Sequence, residues 1–167
     1  MRLPLPTRCS EIGSRASDTA GSPNIAKMAE SVPEQITAVR TDGTVDAWSL
    51  ELTRIQPQRI YRLSCRDGDG REWAAESSDV FACLMDLRRQ VESMGIRLCC
   101  NGSRRDAWSS GMQRDMGEGL VVYLLSEVPK GVRAPQVPTL DPIEPSLAVA
   151  VGEQEAWYQE WLGPRPS

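Results

Sequence analysis

The chain has 167 residues, 40% hydrophobic and 25% charged, the composition of one globular domain with a modest core. It carries a net charge of −4 and no histidine. The charge argues against a broad nucleic-acid groove, which needs a basic face to displace counterions from phosphates. The missing imidazole excludes Ser-His-Asp and Cys-His nucleophiles and the common zinc ligand sets.

Residues 1–33 are rich in Ser, Pro, Ala and Gly without a repeating apolar pattern, which predicts a disordered N-terminal tail. The start MRLPLPTRCSEIGS lacks the apolar core of a signal peptide, and no apolar run approaches the roughly 20 residues that cross a bilayer. Met28 stands just before the first strand-like stretch and is a second candidate start. The cysteines are Cys9, Cys65, Cys83, Cys99 and Cys100, an odd set without C-x-x-C spacing. They read as reduced thiols of a cytoplasmic protein with no membrane contact.

From Ile36, ITAVRTDGTVDAWSLELTRI places Asp42-Gly43 between two β-prone runs, a hairpin signal, and Pro57 closes the second run. RIYRLSC and RDGDGREWAAE add two strands around a second Asp-Gly turn, giving a four-stranded antiparallel meander. SSDVFACLMDLRRQVESMG then predicts a helix over Ser78–Met94. Ser77 or Ser78 serves as N-cap, Asp79 sits in the first turn, and Gly95 supplies the left-handed stop. Its stripe is Val80, Phe81, Leu84, Leu87, Val91 and Met94. IRLCC and GLVVYLL are two further strands of buried type. The proline-rich SEVPKGVRAPQVPTLDPIEPS reads as a linker or crossing strap. The last stretch, VGEQEAWYQEWLGP, suits a short amphipathic helix with Val151, Trp157, Tyr158, Trp161 and Leu162 turned onto the domain.

Between the last two strands lies NGSRRDAWSSGMQRDMGEG, residues 101–119, too long for an idle connection. Six arginines against four acids between residues 86 and 115 make this neighbourhood locally basic, whereas the tail from Ala134 is acidic. Three readings fit. In the first, Arg104, Arg105 and Arg114 pair with Asp106 and Asp115 while Trp108, Met112 and Met116 tuck into the core, making a fixed scaffold. In the second, the arginines and glycine-rich backbone converge on an anion. The third is a protein-docking loop with Arg, Trp and Met anchors. Catalysis is the weakest fit. Ser109, Ser110 and the cysteines have no histidine as base, and neighbouring arginines would keep Asp106 and Asp115 ionised.

Several stretches together resemble a family of short bacterial proteins to which no activity is assigned. They are DVFACLMDLRRQVESMG, GIRLCCNGSRRDAWSSGMQRDMGEGLVVYLL and VGEQEAWYQEWL, spanning roughly residues 36–162. The shared pattern is L-x-CNG-x-R-x-D, then SGM-x-RDMG-x-G, then Y-x-L, with an EQ…Y-x-x-WL tail. Glu118 stands where the pattern suggests another glycine. The resemblance implies no catalytic residue.

The expectation is an α+β fold: an antiparallel sheet of about six strands, one main helix on a face, and a short C-terminal helix closing an edge or the other face. Its organisation is a tail (1–33), an α+β domain (34–127), a Pro-rich linker or strap (128–146) and a C-terminal helix with its tail (147–167). The functional expectation is a non-catalytic protein-interaction module, an immunity-type inhibitor whose acidic residues cover the basic active site of a toxin domain. That analogy rests on small, acidic, histidine-free single domains as a class. The alternative is a small anion- or nucleotide-binding protein. Arg104, Arg105, Asp106, Trp108, Arg114 and Asp115 are the ligand- or partner-binding candidates, with no catalytic residue, metal or cofactor.

Overall fold

The computed structural model describes residues 32–164. The expected N-terminal tail, except its last two residues, lies outside the described residues, as do Cys9 and Met28. The elements are β1 (Gln35–Arg40), β2 (Val45–Ile55), β3 (Ile60–Arg66), β4 (Glu72–Ser77), α1 (Val80–Glu92), β5 (Ile96–Cys99), β6 (Ala107–Trp108), α2 (Gly111–Met116), β7 (Val121–Leu124), β8 (Gln136–Pro138) and α3 (Val151–Leu162). Short 3-10 turns occupy Asn101–Ser103 and Pro145–Leu147.

The fold is α+β, with two antiparallel sheets. The first has the order β4-β3-β2-β1-β5 and grows from the predicted meander. Gly43 takes the positive φ of +87° that its turn demands, while the Asp42 carboxylate accepts the Thr44 N–H at 2.8 Å. Alternation along the strands sends Trp48, Leu50, Tyr61, Leu63 and Cys65 inward. Arg62 and Arg66 meet Glu72 and Glu76 on the outer face. β5 pairs with β1, from Thr37 opposite Cys99 to Arg40 opposite Ile96, so the chain must cross from one edge of the sheet to the other. Helix α1 makes that crossing. Its 13 residues span about 20 Å, matching the ~19 Å width of five strands.

The N-cap of α1 is Asp79 itself, whose carboxylate accepts the Ala82 N–H at 2.8 Å. Ser77 ends β4 and Ser78 precedes the cap, so neither fills the role expected of it. A carboxylate is as good a cap as a hydroxyl and favours the positive end of the helix dipole. The helix ends at Glu92, before Met94, which is exposed rather than part of the stripe. Gly95 follows with φ +74°.

Helix α1 is buried on two faces. Val80, Cys83, Leu84, Leu87 and Val91 pack on the large sheet, and Phe81 and Met85 pack with Ala107, Val122, Leu124 and Val151. The second group belongs to the second sheet, of order β6-β7-β8. The GLVVYLL run therefore does not extend the first sheet; it is the centre of this small one, between Ala107–Trp108 and Gln136–Pro138. The proline-rich stretch that supplies β8 is a strap. It bridges Cys100 through Pro142 and Arg104 through Ala148, and Thr139 and Asp141 carbonyls take the Gly102 and Asn101 N–H groups. Helix α3 packs beside α1 and β6 in this second layer, not on the five-stranded sheet. No helix among the described residues is long and apolar enough to cross a membrane.

Candidate functional site

The 101–119 segment is not an irregular loop. It contains a 3-10 turn, the short strand β6 and the six-residue helix α2. A glycine fits at 102 for lack of space, because a Cβ there would strike Leu84 and come within 2.9 Å of the Thr139 methyl. The close approach lets the Gly102 carbonyl reach the centre of the molecule, where it accepts from Arg88 Nη1 at 3.1 Å and from Gln154 Nε2 at 3.0 Å. Arg88 and Gln154 are both fully buried. Arg88 Nη1 also donates to Gln154 Oε1, its Nη2 donates to the Val149 carbonyl at 2.7 Å, and Gln154 Nε2 donates to the Ala107 carbonyl at 2.6 Å.

Glu92 completes the network. It lies 3.4 Å from Arg88 Nε and accepts the Val151 N–H through both oxygens. Helix α3 has Ala150 at its N-cap, with no side chain to offer, so Glu92 of α1 satisfies that donor from outside. Burial pushes the Arg88 guanidinium below its ordinary pKa, against Glu92, which acts to keep it charged.

The candidate side chains divide into two groups. Arg104 and Asp106 form a two-pronged fork, Nε to Oδ1 at 2.9 Å and Nη2 to Oδ2 at 3.0 Å, and the Ser126 hydroxyl adds a third bond to Asp106. Burial alone would raise the Asp106 pKa, but the bonds from Arg104 and Ser126 outweigh it and hold the carboxyl below its ordinary value. Arg105 is exposed and makes no ion pair among the described residues. These side chains line an open cleft of about 430 Å³ with Ser126, Ser146, Leu147, Val149, Glu153 and Trp157.

Arg114 points elsewhere. Its Nε donates to Asp79 at 3.0 Å, tying α2 to the cap of α1, and it lines a different cleft with Gln58, Arg59 and Asp115. The expected Arg–Asp115 pairing is absent; the exposed Asp115 offers its backbone carbonyl to Arg59 at 3.3 Å. Asp79 wins because it is fixed and almost fully buried, where an ion pair is screened less than at the surface. The three arginines thus do not converge.

Trp108 tucks in as expected, edge-on to Phe81 and stacked on Tyr158 at 4.0 Å between ring centroids. The stack continues to Trp161, over which Lys130 is placed at 5.2 Å. Met112 and Met116 do the opposite of tucking in: they are 73% and 78% exposed. They stand one turn apart on α2, whose buried residue is Gln113, bonded to the Tyr123 hydroxyl. Ser110 caps α2 through the Gln113 N–H, which leaves it structural, and Ser109 is buried.

Thiol chemistry is disfavoured at the four described cysteines. Burial pushes Cys65 up to about 12 and Cys83 and Cys99 up to about 11, and it raises the fully buried Cys100 as well. Among the described residues no three His, Cys, Asp or Glu side chains gather as metal ligands would.

Arg88, Gln154 and Asp79 were not singled out as site residues in the sequence. The available signals were a lone arginine inside the apolar stripe of α1 and a glutamine one turn after Val151 on α3. No protein-family model matches the chain, and no curated protein matches it.

Proposed function

We propose that the protein is a non-catalytic protein-interaction module that offers α2 to a protein partner. The observation that carries this reading is the exposure of Met112 and Met116 on a short helix that is otherwise fastened down. Ser110 caps the helix, Gln113 bonds Tyr123, and Arg114 holds the Asp79 carboxylate. Large apolar side chains presented on a fixed element lose little entropy on binding and adapt to an apolar pocket. Arg104 is spent on Asp106 and Arg114 on Asp79, and the two line different clefts, which favours docking over anion capture by three arginines. Within this class we infer an immunity-type inhibitor of a basic toxin domain, because a net charge of −4 steers association with a basic partner.

The full-length chain, tagged and used as bait in lysate of its source cell at moderate salt, tests this reading beside a Met112→Ser, Met116→Ser double variant. A stoichiometric basic protein bound by the parent chain and lost by the variant is the expected result, and the parent chain should suppress that protein's activity. Retention of the partner by the variant, or a bound partner that stays fully active, would overturn the docking face or the inhibitor role respectively.

A further inference from the structure

In the α3 half of the molecule many strongly interacting side chains are consumed internally. Arg104 pairs with Asp106, Arg114 with Asp79, Arg88 with Gln154 and Glu92, and Trp108, Tyr158 and Trp161 stack on one another. Among the groups in that half without such partners, three come together in one place. Arg105 has no carboxylate partner among the described residues, Glu153 has no cationic one, and Trp157 is the aromatic of α3 outside the stack. All three line the same cleft of about 430 Å³.

Their placement has a direction. Glu153 and Trp157 are four residues apart on α3 and so share one side of that helix. Arg105 comes from the turn before β6, and Leu147, 45% exposed, comes from the strap. Arg104 lies in the wall too, with Nη1 unbonded among the described residues while Nε and Nη2 serve Asp106. Asp106 is saturated by Arg104 and Ser126 and adds no free negative charge. Arg105 and Glu153 line one cleft without forming an ion pair with each other. A simple anion would face Glu153, and a simple cation would face two guanidiniums.

We propose that this cleft binds a zwitterionic ligand with an apolar side chain, of the size of a dipeptide. The ligand carboxylate takes Arg105 and Arg104 Nη1, its ammonium takes Glu153, and its side chain lies against Trp157 and Leu147. The ends of an extended dipeptide are roughly 7 Å apart, and the cleft volume falls in the range of about 300–1,000 Å³ usual for small-ligand sites. This site is separate from α2 and does not depend on the docking role proposed for it.

Calorimetric titration of the full chain with L-phenylalanyl-L-leucine, its N-acetylated form and its C-amidated form tests the assignment. The free dipeptide should bind best, and each blocked form should bind about fivefold more weakly, the upper end of what one exposed ion pair contributes. Arg105→Gln should shrink the penalty for amidation, leaving the share held by Arg104, and keep that for acetylation; Glu153→Gln should erase the penalty for acetylation and keep that for amidation. Both positions are exposed, so neither change endangers the fold. Equal affinity for all three peptides, selectivity unchanged in both variants, or no heat up to about 10 mM, where little binding energy remains, would each overturn the proposal.

Discussion

The two faces of α1 are held by different means. On the side of the five-stranded sheet, the contacts are apolar and repeat with the strand and helix periods, from Ile36 and Trp48 through Leu63 to Leu84 and Val91. On the other side a small apolar cluster surrounds a buried arginine and a buried glutamine that hold backbone carbonyls from three separate stretches. The first side tolerates local repacking because its attraction is non-directional. The second depends on individual bonds between residues more than 60 positions apart, such as Arg88 and Gln154, and each lost bond strands a buried partner.

The largest effect should come from Arg88→Met. It orphans the Val149 carbonyl and Gln154 Oε1 and leaves the Gly102 carbonyl with the Gln154 amide alone, and urea unfolding should show a loss of about 3–5 kcal/mol. Leu63→Ala on the sheet side should cost a comparable 2–5 kcal/mol. The two sides part company on coupling. Arg88→Met and Gln154→Leu remove members of one network that share a direct bond and the Gly102 carbonyl, so their losses should be non-additive in a double-mutant cycle, whereas Arg88→Met and Leu63→Ala share no hydrogen-bond partner and should add. Additive losses for Arg88→Met and Gln154→Leu would mean that the network does not act as a unit.

Gly102→Ala should come next, at about 1–3 kcal/mol, because its Cβ meets Leu84 and Thr139 in a filled space. Thermal unfolding measures it directly, and a neutral result would place slack in this half of the molecule.

Asp106→Asn should cost about 1 kcal/mol near neutral pH by loosening the Arg104 fork. The Asp106 pKa is depressed in the folded state, so its contribution is complete above the ordinary value of 3.8 and is lost as the pH falls below it. The variant should therefore lose part of the decline in stability on the acid side, read from unfolding midpoints between neutral and strongly acidic pH. Smallest of all, Met112→Ser with Met116→Ser should leave stability within about 0.5 kcal/mol. A larger loss would mean that these side chains pack in the free protein.

The same contrast explains what the sequence discloses. The sheet half is written in periodic signals: Asp-Gly turns, alternation in β2 and β3, and the stripe of α1. The second half is written in single residues whose partners are remote. Nothing near Gly102 announces Arg88, and nothing near Arg114 announces Asp79, so Asp115, its neighbour, looked the natural partner. Met112 and Met116 read as inward because large apolar residues usually are buried; the short α2 instead docks through Gln113 and leaves both methionines in solvent. Arg104, Asp106 and Trp108 were legible because each finds its partner close by or in an aromatic neighbour of an expected helix.

Both the docking face and the cleft require residues 101–119 to be a fixed platform and not a mobile loop. Native-state hydrogen exchange of the Asn101, Gly102 and Gly119 amides tests this most directly, since they donate to Asp141, Thr139 and Gln113 carbonyls. Protection approaching that of β2 and β3 amides is expected, lost together with them in one cooperative transition. Exchange of these three amides at near-unprotected rates while β2 and β3 stay protected would contradict it.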